Sequence, residues 1–192
     1  MIDLSIIRDC ANNSAAAQRE LYNRYSGLMF GICVRYSSCK DEAEDMLQES
    51  FIRIFKGIET FEFKGNFEGW MKRIVVNTCI NFIKKNKKFT DHINLDTITH
   101  LEYKEESVAS KLLGKQVMEC LLMMPLSFRT VINLYAIEGY SHKEIAEMLD
   151  IEETNCRSQY IRGKHILERI LMQKKLIPEK QERLEWLALL NR

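Results

Sequence analysis

The sequence predicts an all-α fold of two helical domains joined by a flexible linker, and three observations predict it. Apolar residues recur at helical spacing along most of the chain. Glycine and proline are scarce, 8 and 2 in 192 residues, whereas a β-sandwich or barrel uses such residues every ~8–12 positions. The periodicity lapses over residues 89–107, which divides the helical sequence into two blocks. A length of 192 residues suits two small domains. A hydrophobic content of 46% supplies their cores and argues against disorder.

The first block, residues 1–88, reads as a helical bundle. After Ala15-Ala16-Ala17, the residues Leu21, Tyr22, Tyr25, Leu28, Met29, Ile32 and Tyr36 form one stripe. From Ala43, a second stripe follows at Met46, Leu47, Ser50, Phe51, Ile54, Phe55 and Ile58. Phe61-Glu62-Phe63-Lys64-Gly65 is aromatic and loop-like. Asn66 is a good N-cap for a third helix that buries Phe67, Trp70, Met71, Ile74 and Thr78. Residues 89–107 are polar, mixed and aperiodic, as a linker is.

The second block, 108–175, opens with the stripe Leu112, Leu113, Val117, Cys120 and Leu121. After Pro125, a helix over Ser127–Glu138 carries Phe128, Val131, Ile132 and Tyr135, and Gly139 suits a left-handed stop. Ser141-His142-Lys143-Glu144 is a capping box, with serine at the cap and glutamate three residues on. It opens a short helix that turns inward Ile145, Ala146 and Leu149. The turn Leu149-Asp150-Ile151 leads into another helix from about Glu152, so the pair makes a helix-turn-helix. Residues 176–192 predict one more amphipathic helix, with Leu184, Leu187 and Leu190 on one side.

Charge arrangement is more informative than the net charge of +1. Residues 69–90 carry Lys72, Arg73, Lys84, Lys85, Lys87 and Lys88 and no acid. At about 100° per residue, Arg73, Asn77, Asn81, Lys84 and Lys88 share one side of the third helix. Cations neutralise phosphates, amides pair with base edges, and nearby aromatics (Phe61, Phe63, Phe67, Trp70) can stack on unpaired bases. A solvated basic face is the bland alternative. The second helix has the opposite sign, with Asp41, Glu42, Glu44, Asp45 and Glu49 near its start. These acids suit a helix N-terminus, yet Asp45, Gln48, Glu49 and Arg53 also make an exposed ridge that could dock a protein. In the second helix of the helix-turn-helix, Cys156, Tyr160, Gly163 and Leu167 form the buried stripe. Opposite lie Thr154, Asn155, Ser158, Arg162 and His165, flanked by Arg157, Gln159 and Lys164, which are residue types that read base edges and phosphates. Glu152 and Glu153 either repel phosphate or cap the helix.

Other classes find no support. The six cysteines and four histidines are dispersed, without zinc spacing, so no structural metal is expected. The cysteines read as small core residues of a reduced protein. Met1-Ile2-Asp3-Leu4-Ser5 lacks the basic start of a signal peptide, and no apolar stretch approaches the ~20 residues of a membrane span, so a cytoplasmic protein is expected. No phosphate loop, metalloprotease or nucleophile-elbow motif is present. No cofactor is expected and the chain does not read as an enzyme.

Taken together, the two blocks resemble a bacterial extracytoplasmic-function sigma factor, the small two-domain class (group IV) of the primary sigma family. Residues 16–88 resemble region 2, on Leu21-Tyr22-x-Arg24-Tyr25, on Ala43-Glu44-Asp45-Met46-Leu47-Gln48-Glu49-Ser50-Phe51, and on Phe67-x-x-Trp70-Met71-x-Arg73-Ile74-x-x-Asn77. Residues 108–171 resemble region 4, on Met124-Pro125 and Arg129, on Glu138-Gly139-Tyr140-Ser141-x-x-Glu144-Ile145-Ala146, and on Arg157-Ser158-Gln159. The resemblance implies that Asp45, Gln48, Glu49 and Arg53 bind the clamp helices of core RNA polymerase. It implies that Phe61, Phe63, Asn66, Trp70, Arg73, Asn77, Asn81, Lys84 and Lys85 engage the minus-ten element and capture a flipped base. Asn155, Arg157, Ser158, Gln159 and Arg162 would read the minus-thirty-five element, while Arg129, Ser141 and Lys143 hold phosphates. Core RNA polymerase, promoter DNA and a separate anti-sigma factor are the implied partners. The residues alone leave open a simple repressor that uses only the helix-turn-helix, and a helical adaptor that binds no nucleic acid.

Overall fold

The computed structural model describes residues 4–61, 65–85 and 109–177, except the side chains of 109–113 and 115. Among these residues the chain is helical and contains no strand. It divides into two units, residues 1–87 and 88–192. The expected linker over 89–107 lies outside the described residues, and so does most of the expected tail helix over 176–192.

The first unit consists of α1 (Leu4–Ala11), α2 (Ala15–Tyr36), α3 (Lys40–Gly57), a 3-10 turn (Ile58–Thr60) and α4 (Phe67–Lys85). α2, α3 and α4 pack on one another in all three pairings, and α1 lies against α2 and the 3-10 turn. Ser14 caps α2, its hydroxyl accepting from the Ala17 amide at 3.5 Å. The α3 start carries Asp41 and Glu42, and the Glu42 carboxylate accepts from the Ser38 amide at 2.8 Å. The core comprises Leu21, Tyr25, Met29, Ile32 and Tyr36 of α2, Met46, Phe51 and Ile54 of α3, and Met71, Val75, Cys79 and Ile83 of α4. The buried hydroxyls of Ser50 and Thr78 donate to carbonyls one turn back, Met46 at 2.6 Å and Ile74 at 2.8 Å.

Three expectations for this unit need adjustment. α1 is an addition, a helix of 8 residues that buries Ile7 and Cys10 and is too short for periodicity to declare itself. Tyr22 and Leu28 are 38% and 41% exposed, and Tyr22 lies at the edge of the α2 stripe with its ring 4.7 Å from that of Phe51 on α3. Trp70 and Ile74 are half-buried at the edge of the α4 stripe.

The second unit consists of α5 (Ala109–Leu122), α6 (Leu126–Ile132), a π-helical segment (Asn133–Ile137), α7 (His142–Leu149) and α8 (Glu153–Gln173). α8 is its axis, packing on α5, α6 and α7. The close crossing of α6 and α8 depends on Gly163: a β-carbon there would lie 3.0 Å from Ile132 Cδ1 and 3.3 Å from Phe128 Cβ. The helix expected to continue to Glu138 widens at Asn133, where the Glu138 amide donates to the Asn133 carbonyl five residues back at 2.9 Å. That extra residue per turn keeps Leu134 buried, exposes Ile137, and hands the chain to Gly139, whose φ is 80°. Five of the six cysteines are buried and Cys39 is half-buried. Burial raises the thiol pKa of Cys10, Cys79, Cys120 and Cys156.

Candidate nucleic-acid and protein-binding surfaces

In α4 the buried stripe leaves Arg73, Asn77, Asn81 and Lys84 exposed at helical spacing, with Lys85 beside them. Lys72 is set apart from this face by its ion pair with Glu68, at 2.7 Å. Asn66 is engaged within its own turn. Its Oδ1 accepts from the Glu68 amide at 3.0 Å, and its carbonyl accepts from the Trp70 amide at 3.0 Å. Phe61, expected to engage the minus-ten element, is 6% exposed and lies edge-on to Phe67 with ring centroids 5.0 Å apart, so it anchors the loop. Trp70 lies 5.4 Å from Phe67 and 5.6 Å from Phe61, and it is the ring of this cluster that keeps solvent exposure. Phe63 and Lys88 lie outside the described residues.

The α3 ridge is solvent-facing as expected, with Asp45, Gln48, Glu49 and Arg53 all exposed. Arg53 Nε donates to Glu49 Oε1 at 2.7 Å. Ile52 stands among them at 48% exposure, an apolar residue out of phase with the buried stripe. That phase mismatch is readable in the sequence.

The helix-turn-helix begins at a reciprocal capping box. The Ser141 hydroxyl accepts from the Glu144 amide at 3.3 Å, and the Glu144 carboxylate accepts from the Ser141 amide at 2.8 Å. The connecting turn places Asp150 at φ 57°, ψ 50°, and the Ile151 amide closes it onto the Ala146 carbonyl at 3.0 Å. Along α8, Cys156, Tyr160, Gly163 and Leu167 are buried as predicted. Asn155, Arg157 and Arg162 are exposed, Ser158 and Gln159 half-buried. Gln159 Nε2 donates to Asn155 Oδ1 at 3.3 Å, so the two amides form a unit. Arg157 donates twice to one carboxylate oxygen of Glu153, from Nε at 3.0 Å and Nη2 at 2.6 Å. Glu152, the N-cap of α8, makes no side-chain capping bond. Ile161, at 56%, is the most exposed large hydrophobic among the described residues and lies beside Arg162 on the polar side of α8. It too is out of phase with the buried stripe.

Arg129, expected on a phosphate, is buried. It is 3% exposed, and its Nη1 donates to the Leu122 carbonyl at 3.1 Å. Leu122 is the last residue of α5, so the guanidinium supplies a donor that a helix end lacks. Burial lowers the Arg129 pKa to about 10. Lys143 and Ser141 remain exposed at the start of α7.

His142 joins α7 to α8. Its ring stacks on Tyr135 at 4.3 Å and meets Tyr160 edge-on at 5.3 Å, while Cys156 Sγ lies 3.7 Å from Nδ1. Desolvation and the charge of Arg157 lower its pKa, against the opposing pull of Glu153.

Comparison with known proteins accounts for both units. Residues 21–89 match the sigma-70 region 2 family and residues 114–166 the sigma-70 region 4 family. The extracytoplasmic-function (ECF) RNA polymerase sigma-E factor of Haemophilus influenzae is 28% identical over 179 residues, covering 88% of this chain and 94% of that protein. The ECF RNA polymerase sigma factor SigW of Bacillus subtilis is 28% identical over 176 residues, covering 86% and 94%. A solved structure, the sigma factor RpoE with the anti-sigma factor NepR from Bartonella quintana, is 18% identical, with a TM-score of 0.49 and coverage of 80% and 96%.

Proposed function

The chain belongs to the sigma-70 family, in its extracytoplasmic-function class, and from that premise we propose how its surfaces divide the work of starting transcription. It is a transcription initiation factor that binds core RNA polymerase and directs it to specific promoters. In our reading the α3 ridge, Asp45, Gln48, Glu49 and Arg53 with Ile52 among them, docks on core polymerase. The α4 face of Arg73, Asn77, Asn81, Lys84 and Lys85, with Trp70 at its N-terminal end, takes the minus-ten element and holds it open. Cationic groups track the backbone of the parted strand, and an aromatic surface stacks on an extruded base at ~1–3 kcal/mol. The α8 face reads the minus-thirty-five element as duplex: Asn155, Arg157, Ser158, Gln159 and Arg162 face base edges, and Ile161 meets an apolar group such as a thymine methyl. Ser141 and Lys143 hold phosphates at the groove edge.

The observation that carries this reading is the pairing of two polar, cation-bearing helix faces, on α4 and on α8, in separate units of one chain. Two weak surfaces held at promoter spacing by polymerase gain avidity that neither has alone. The factor catalyses nothing itself and works in the cytoplasm, and an anti-sigma protein restrains it. Among the described residues, no helix is long and apolar enough to cross a membrane.

The test combines Arg73→Ala and Asn77→Ala in the full chain, assembled with core polymerase on a promoter. The double variant should still co-elute with core while permanganate-reactive, unpaired thymines in the minus-ten region fall at least tenfold. Unchanged thymine reactivity would refute the assignment of the α4 face.

A further inference from the structure

Arg157 and Arg162 are both exposed on α8, but the structure shows Arg157 tethered. Its Nε and Nη2 both donate to Oε1 of Glu153, at 3.0 and 2.6 Å. A guanidinium carries five N–H groups in a planar fork. With the Nε–H and one Nη2–H engaged by the carboxylate, both Nη1 hydrogens and the second Nη2 hydrogen stay open. One Nη1 hydrogen and the second Nη2 hydrogen form the far edge of the fork, the edge that spans O6 and N7 of guanine in a major groove.

An exposed ion pair of this kind contributes little to stability, so its consequence lies in orientation. Untethered, a long cationic side chain sweeps a wide arc and finds the nearest phosphate. Glu153 opposes that outcome by holding the fork from one side, at the first residue of α8. An acid that looked like a liability for DNA binding therefore makes sense beside an arginine meant for a base.

We infer that Glu153 is a positioning residue that aims Arg157 at a guanine edge in the promoter's upstream element, setting a base preference there more than adding affinity. The inference rests on the reading of α8 as the minus-thirty-five reader. It assigns to Glu153 a specificity role, and it names guanine as the base.

The experiment uses holoenzyme, core polymerase with the full chain, to initiate transcription from a promoter library randomised over the minus-thirty-five element. The unsubstituted factor should prefer guanine at one position by about fivefold or more, the discrimination a good bidentate pair supplies. Glu153→Ala should bring that position close to parity while leaving other positions in place. Glu152→Ala makes the same change of charge one residue earlier and should keep the preference. Arg157→Ala should abolish it, and adding Glu153→Ala to Arg157→Ala should change nothing more. Retention of the guanine preference in Glu153→Ala, or its loss in Glu152→Ala, would overturn the positioning role. Active transcription with no base preference anywhere in the upstream element would instead overturn the reading of α8 itself, and the inference with it.

Discussion

Replacing Gly163 by alanine puts a methyl group where α6 and α8 approach most closely. The added β-carbon would lie 3.0 Å from Ile132 Cδ1, 3.3 Å from Ile132 Cγ1 and 3.3 Å from Phe128 Cβ. The end of Ile132 can rotate away, but Phe128 Cβ is fixed to the α6 backbone, so the helices must separate by a few tenths of an ångström. Overpacking of a tight core costs about 1–3 kcal/mol. Alanine gains about 1 kcal/mol over glycine in a helix interior, which offsets part of that cost. The net expectation is a loss of about 1 kcal/mol from the second unit, roughly a fivefold rise in its open population. Amide hydrogen exchange on the full chain reads this locally. Peptides from α6 and α8 should exchange about fivefold faster in Gly163→Ala, and peptides from α2, α3 and α4 should not change. Equal or greater protection in α6 and α8 would refute the close crossing, because the helix-propensity gain would then stand unopposed.

Four further outcomes follow from the same geometry. The His142 pKa is lowered in the fold by burial and Arg157, so as pH falls below the ordinary value of 6.5 the unfolded chain takes up the proton first. Protection of α7 and α8 should therefore be full above that value and decline as pH drops through it, and His142→Gln should flatten the decline. Arg129→Ala should leave the Leu122 carbonyl without its donor and cost about 1–3 kcal/mol in thermal stability. Lys143→Ala should leave the melting temperature in place and lower the salt dependence of promoter binding by about one unit of slope. Glu49→Lys, which opposes the charge paired with Arg53, should weaken co-elution with core polymerase without changing circular dichroism.

How much of this is legible in the sequence varies with the range of the interaction concerned. The capping box at Ser141 and Glu144, the N-cap at Asn66 and the buried stripe Cys156, Tyr160, Gly163 and Leu167 all depend on neighbours within a turn or three of one helix. Spacing alone exposes such features. The burial of Arg129 is hidden because an arginine reads as a surface group, and its partner is a helix-end carbonyl seven residues back across a turn. Phe61 is hidden for a similar reason: an aromatic in a polar loop reads as a binding surface until Phe67 and Trp70 pack against it. The widening at Asn133 comes from one additional residue in a turn, which a pattern with a period of about 3.6 averages away. The Glu153–Arg157 spacing is visible in sequence, whereas the edge of the guanidinium left open is a matter of atomic geometry.

The central claim is that this chain gives core RNA polymerase promoter specificity. Run-off transcription on fragmented bacterial genomic DNA, with core polymerase alone and with core plus the full chain, tests it most directly. The account predicts discrete new transcripts whose templates share two upstream boxes at a fixed spacing. Identical transcript patterns with and without the chain, under conditions where the two proteins co-elute, would contradict it.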